Sequence, residues 1–390
     1  MRCRGPSMLS IKASFTLLIL STISSTGFAK TPNKSEVFNY SLQMTEAVLA
    51  WPLSQGSKEI LVAVIDTGMD TQHPVLRENL WRNPGEAGVD ARGNDKATNG
   101  IDDDGNGYVD DVHGWNFASN NNDLSDAHGH GTHVAGIIQS VAPKTPMMIL
   151  KYYDPKSSGA DNLVNTVKAL RYAIQMNAKI INYSGGGTTK YLDEEQVIRE
   201  AQKKGILVVA AAGNERSNSD INGFYPADYG LANIISVTAI DENERVLPSS
   251  NYGIQSVDIA APGKSIISTL PGGKFGTMTG TSQATAYVTG AACLLLASGF
   301  PPVPEKIIQQ ITATGKDNPL LAGKTKHETS LNAYRSLVMK GAGLGAFGAG
   351  VLNSSTDQDF SSKLDPNSED PGAEELPFKR IVQTLVEPLT

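Results

Sequence analysis

From residue 60 onward the chain alternates short β-branched, apolar runs with segments of helical periodicity. This pattern predicts a mostly parallel sheet covered by helices on both faces, so the expected fold class is α/β. Strands are expected at 60–65, 147–152, 179–183, 206–211, 234–240 and 257–260. Several are apolar almost throughout, as strands are when both sheet faces are buried. Helices are expected at 162–176, 194–204, 282–298 and 304–312, with Gly205 where a helix C-cap belongs.

The 390 residues and 40% hydrophobic content suffice for one large core or two smaller ones. A net charge of −7, with basic residues scattered instead of striped, gives no reason to expect nucleic acid as a partner. Residues 1–29 read as a secretory signal peptide. Arg2, Arg4 and Lys12 precede an apolar run at 15–20, and Gly27-Phe28-Ala29 supplies small residues before a cut near Ala29. That run is far shorter than the roughly 20 apolar residues of a membrane-spanning helix, and no other stretch is long and apolar enough to span a bilayer, so no membrane anchor is expected. Export to the periplasm or the extracellular space follows. Cys3 leaves with the signal, and Cys293, in an apolar run, reads as a buried and inert thiol. Residues 30–59 form a short segment leading into the expected α/β domain. Residues 339–390 are Gly-rich and then acidic, with eight acidic and three basic residues from Asp357 on, and read as a solvated tail.

Three of the six histidines fall in His128-Gly129-His130-Gly131-Thr132-His133. Clustered imidazoles can ligate zinc, and a single imidazole at a helix start can serve as the base for a serine. Gly280-Thr281-Ser282 opens a helix rich in small and apolar residues on every face, which presents a hydroxyl and backbone N–H groups at its N-terminus. Ser282 reads equally well as a simple N-cap. Asp66 follows directly on the apolar run Val62-Ala63-Val64-Ile65, at the kind of strand end where functional groups of open α/β sheets collect. Asn214, after a second such run, is a candidate oxyanion donor.

Three separated motifs, V-I-D-T-G at Asp66, H-G-T-H-V-A-G at His130 and G-T-S at Ser282, resemble those of the subtilisin-like serine proteases, the subtilases or peptidase S8 family. The order Asp, His, Ser is that of the family's namesake. Ala212-Gly213-Asn214, Tyr225-Pro226-Ala227, Ser250-Asn251-Tyr252-Gly253, Ala261-Pro262-Gly263 and Leu331-Asn332-Ala333-Tyr334 extend the resemblance over residues 38–338. It implies a serine endopeptidase working through an acyl-enzyme, with Ser282 as nucleophile, His130 as base and then acid, and Asp66 fixing its tautomer. Asn214 and the Ser282 N–H would form the oxyanion hole. It also implies that Ser184, Gly185 and Gly186 pair with an extended substrate, and that these with Ala211 and Gly213 line the primary pocket, where small residues suggest room for a sizeable side chain. Polypeptide substrates, a monomer and no cofactor for the chemistry are expected. Two alternatives stand beside this reading. A zinc hydrolase would use His128, His130 and His133, but only His327 follows them to complete a site. A catalytically impaired subtilase would bind peptides without cleaving them.

The chain departs from the family pattern at Gln283, where methionine is usual, and at Ala286, where proline is usual. The stretch 30–60 is also too short for the folded propeptide many secreted subtilases carry. In the acidic loop, Asp102, Asp104 and Asn106 occupy alternating positions, with Asp110 or Asp111 closing the loop. This resembles a calcium loop, so a structural Ca2+ is expected there.

Overall fold

The apolar runs become strands because the chain can bury them from both sides. A computed structural model describes residues 40–340. The signal peptide expected at 1–29 and the tail from residue 341 lie outside the described residues. The first half contains α1 (Tyr40–Met44), α2 (Ala47–Ala50), β1 (Val62–Asp66), β2 (Gly114–Asn116), α3 (His130–Val141), β3 (Met147–Lys151), α4 (Gly159–Gln175) and β4 (Ile180–Tyr183). Then follow α5 (Leu192–Lys203), β5 (Leu207–Ala211), β6 (Ile234–Ile240), β7 (Ile259–Pro262), β8 (Ile266–Leu270) and β9 (Lys274–Met278). The remaining elements are α6 (Thr281–Ala297), α7 (Pro304–Ala313), β10 (Lys316–Asp317), β11 (Thr329–Ser330) and α8 (Ala333–Val338).

Nine strands form one sheet in the order β10-β11-β7-β6-β5-β4-β1-β3-β2. Every pairing in it is parallel except β10 with β11. Alternation along β1 sends Val62 and Val64 into one apolar cluster with Ile137 of α3 and Leu294 of α6. Ala63 and Ile65 enter a second cluster with Leu170 of α4 and Ile198 of α5. The sheet therefore lies between two helical layers, as the α/β reading requires.

Helix α6 is buried from Thr281 to Leu296. Its small side chains let neighbouring elements approach on all sides, and its hydroxyls are satisfied internally: Thr285 Oγ1 donates to the Thr281 carbonyl at 2.8 Å and Thr289 Oγ1 to Asn182 Oδ1 at 2.8 Å. Ala286 sits inside this uninterrupted helix. Cys293 is fully buried, and burial pushes its thiol up to about 12.

The segment before β1 is part of the core. Leu42, Ala47 and Ala50 join the α3/α6 cluster, and Trp51 Nε1 donates to the Val141 carbonyl at 2.9 Å. The structure adds elements that the periodicity did not predict: β2, the two short strands β10 and β11, and the separate β8–β9 hairpin. Pro271-Gly272-Gly273 turns that hairpin, and both glycines take positive φ.

Candidate active site

Because β5, β4 and β1 are adjacent and parallel, their carboxyl ends open on one edge of the sheet. Asp66 ends β1, Ser184 follows β4, and Asn214 lies three residues past β5. Helix α3 starts at His130, and Ser282 is the second residue of α6. Topology thus gathers the residues that the sequence named far apart.

Asp66 is buried, and its Oδ1 accepts from the Thr67 N–H at 2.7 Å and from His130 Nδ1 at 2.7 Å. That contact puts the proton of neutral His130 on Nδ1 and leaves Nε2 with a free lone pair. Burial alone would lower the His130 pKa, but the Asp66 charge and hydrogen bond outweigh it and hold the pKa above its ordinary value. Gly131 makes the approach of α3 to β1 possible. A side chain there would strike the Gly68 carbonyl and lie 3.1 Å from Asp66 Cβ.

Asp126, which lies outside the sequence motifs, fixes this helix start. Its Oδ1 accepts from the Gly129 N–H at 2.8 Å and from Thr67 Oγ1 at 2.9 Å, and its Oδ2 accepts from the Thr132 N–H at 2.9 Å. Burial tends to raise its pKa, yet these donors bring it below the usual value. The available signal was a carboxylate four residues before His130.

Ser282 is 8% exposed. Its Oγ donates to the Ser184 carbonyl at 2.9 Å, and Ser184 Oγ donates to the Ser282 carbonyl at 3.0 Å. Among the described residues no hydrogen bond joins Ser282 to His130. Asn214 Oδ1 accepts from the Thr281 N–H at 3.0 Å, and among the described residues its Nδ2 has no hydrogen-bond acceptor. The Ser282 N–H is among the first four of its helix and has no intrahelical acceptor.

Gly185 and Gly186 follow Ser184 beyond β4, Ala211 ends β5, and the Gly213 N–H donates to Thr281 Oγ1 at 3.3 Å. The expected room is occupied, however. The ring of Phe224 stands between Gly186 and Gly213, and Phe224 is 7% exposed. Nothing in the glycine-rich segments themselves signalled a ring arriving from further along the chain.

The three clustered histidines separate. His133 is buried, with Nε2 on the carbonyls of Ile266 and Gly276 at 2.9 and 3.2 Å, and burial lowers its pKa to about 4. His128 is exposed, with its ring centroid 6.2 Å from that of His130. Among the described residues the one group close enough to hold a metal is Glu86, Asp102 and Asp104, whose ligand oxygens lie within 4.8 Å of one another. Glu86 was not foreseen. It is fully buried, its Oε1 accepts from the Asp103 N–H at 2.9 Å, and its Oε2 has no partner. The loop's own groups engage the expected ligands: both Asp110 oxygens take the Gly100 N–H at 3.1 Å, Asp102 Oδ1 and Oδ2 take those of Asn106 and Gly107 at 3.1 and 2.8 Å, and Asn106 bonds to Asp111 and to the Tyr108 N–H.

A carboxylate, an imidazole and a helix-start serine thus lie at the open carboxyl edge of a parallel sheet covered by helices on both faces, the architecture of an α/β protein with its functional groups at the strand ends. The family model of the Subtilase family matches residues 57–336, and the chain belongs to that family. It is 35% identical over 304 residues to a thermophilic serine proteinase of Bacillus sp. (strain AK1), covering 74% of this chain and 66% of that protein. Thermitase of Thermoactinomyces vulgaris is 33% identical over 270 residues, 67% of this chain and 82% of its own. A solved lanthipeptide protease shares the fold, with TM-score 0.61 and 22% identity over 77% of this chain and 93% of that one. The chain thus spans slightly less than two thirds of the length of the Bacillus relative.

Proposed function

We propose that this protein is a secreted serine endopeptidase in which Ser282, His130 and Asp66 act as a triad. The observation that carries the reading is the 2.7 Å contact of His130 Nδ1 with Asp66 Oδ1, which makes Nε2 the basic nitrogen. A substrate strand lies along Ser184, Gly185 and Gly186. Rotation about the Ser282 side chain then exchanges the Ser184 carbonyl for His130 Nε2 as proton acceptor. Oγ attacks the scissile carbonyl while His130 takes the proton. The developing oxyanion is held by Asn214 Nδ2 and the Ser282 N–H. His130 returns the proton to the leaving amine, and water repeats the sequence on the acyl-enzyme. Residues 1–29 direct export, 38–338 form the peptidase domain, and the chain works as a monomer.

The test is labelling with a serine-directed fluorophosphonate, together with peptide hydrolysis, in parent and Ser282→Ala. Labelling of the parent alone, with hydrolysis lowered by roughly 10⁶-fold in the variant, is expected. Equal hydrolysis by both would refute the assignment. The Ser282–Ser184 bond favours a second reading, a chain that binds peptides without turnover; an unlabelled parent that still binds peptide would select it.

The acidic loop fits a calcium ion through an all-oxygen donor set. Glu86, Asp102 and Asp104 would hold it, and the buried, unpartnered Glu86 Oε2 is the atom such an ion satisfies. Its role is structural: it neutralises three crowded carboxylates. Chelator should lower the melting temperature of the parent but not of Glu86→Gln, and excess calcium should restore it. A melting temperature indifferent to both reagents removes the site.

A further inference from the structure

We propose that Phe224 plugs the primary specificity pocket, so that the enzyme cleaves after small, uncharged residues. This rests on the serine-peptidase reading above. Two segments border the nucleophile: Ser184 exchanges hydrogen bonds with Ser282, and Gly213 and Asn214 both bond Thr281. A substrate side chain entering beside Ser282 must pass between these segments. The space between them holds the Phe224 ring. A Cβ on Gly186 would lie 2.6 Å from Phe224 Cε1, and one on Gly213 would lie 2.8 Å from its Cδ2. Opposite sides of one ring thus lie against opposite walls.

The plug is anchored. Tyr225 and Gly187 exchange N–H to carbonyl bonds at 2.7 and 2.9 Å, tying the backbone beside Phe224 to the wall it covers. The Phe224 N–H also donates to Asp228 Oδ2 at 2.6 Å, and the Asp228 N–H returns to the Phe224 carbonyl at 3.1 Å. Withdrawing the ring to admit an aromatic or long aliphatic side chain would break these bonds. At the Gly213 wall stands Glu215, whose Oε2 accepts from Asn251 Nδ2 at 2.8 Å. Its negative charge disfavours acidic side chains. The chemical class left is a peptide with alanine, serine or a residue of similar size on the acyl side of the scissile bond.

The experiment compares kcat/KM of the parent, Phe224→Ala and Phe224→Leu on two matched peptide amides, with alanine or phenylalanine before the scissile bond. Fluorophosphonate labelling of each protein shows that its nucleophile is intact. The parent should prefer alanine by on the order of 100-fold, Phe224→Ala should reverse the preference, and Phe224→Leu should fall between them. A parent that prefers phenylalanine overturns the proposal, as does an unchanged ratio in a labelled variant. If Phe224→Ala does not fold, the parent and Phe224→Leu decide by the same two criteria. A parent that neither labels nor cleaves defeats the serine-peptidase reading itself, and this proposal with it.

Discussion

Asp66 acts on His130 through both geometry and charge. Its carboxylate fixes the Nδ1–H tautomer and raises the imidazole pKa above 6.5. A base works only when neutral, so kcat/KM should rise with pH through a midpoint above 6.5. In Asp66→Asn the charge is gone, and the acid limb should move to lower pH while the maximum falls by roughly 10⁴-fold. A pH–rate profile of both proteins checks this, and an acid limb that stays in place in Asp66→Asn contradicts it. Gln283, next to Ser282 and 2% exposed, carries no thioether to oxidise. Mild peroxide should therefore inactivate Gln283→Met several-fold faster than the parent, and equal inactivation rates would place the oxidisable group elsewhere. Asp66, His130 and Ser282 were legible in the sequence because each sits at a strand end or helix start with its own local pattern. Glu86 and Phe224 were not, because each reaches its site from a loop whose own sequence has no period. In the acidic loop, spacing named Asp102 and Asp104, but not Glu86, which comes to lie beside them from an earlier loop.

The β8–β9 hairpin depends on α3 for its position. Ser268 Oγ and Thr269 Oγ1 donate to the His133 and Thr132 carbonyls at 2.7 Å each, and His133 Nε2 reaches back to both strands. His133 Nδ1 is buried without a partner, so a second ring proton has nowhere to go. The folded pKa of about 4 lies below the ordinary 6.5. Its stabilising contribution is therefore complete above pH 6.5 and is lost as pH falls toward 4. The difference corresponds to on the order of 3 kcal/mol. Urea midpoints of the parent and His133→Gln at pH 7 and pH 4 should show a smaller acid loss in the variant. Identical losses would mean that His133 is not the group responsible. The central strands were readable as long apolar runs because both their faces are covered. The hairpin lies outside that sheet, with β9 partly exposed, so its signal was the Pro-Gly-Gly turn and not hydrophobicity.

Across the whole molecule His133 is opposed by two carboxylates. Burial raises Asp228 and Asp258 to about 6 each, against hydrogen bonds from the Phe224 and Ser236 N–H groups respectively. For a carboxylate whose folded pKa lies above the unfolded one, the favourable contribution is complete below about 3.8 and is lost as pH rises through about 6. Even with Lys326 at 3.9 Å, ionised Asp258 therefore costs stability at neutral and alkaline pH, on the order of 3 kcal/mol. Between pH 6 and 4 the two carboxylates gain what His133 loses, which flattens the acid side of the stability profile. Asp258→Asn keeps an oxygen for the Ser236 N–H and removes the charge. Its melting temperature should exceed that of the parent at pH 8, and the advantage should shrink as the parent's own Asp258 becomes protonated toward pH 5. The variant should also lose stability more steeply on acidification, because one of the two opposing groups is gone. Parallel melting curves of the parent and variant at a constant pH-independent offset would show that Asp258 does not titrate in this range.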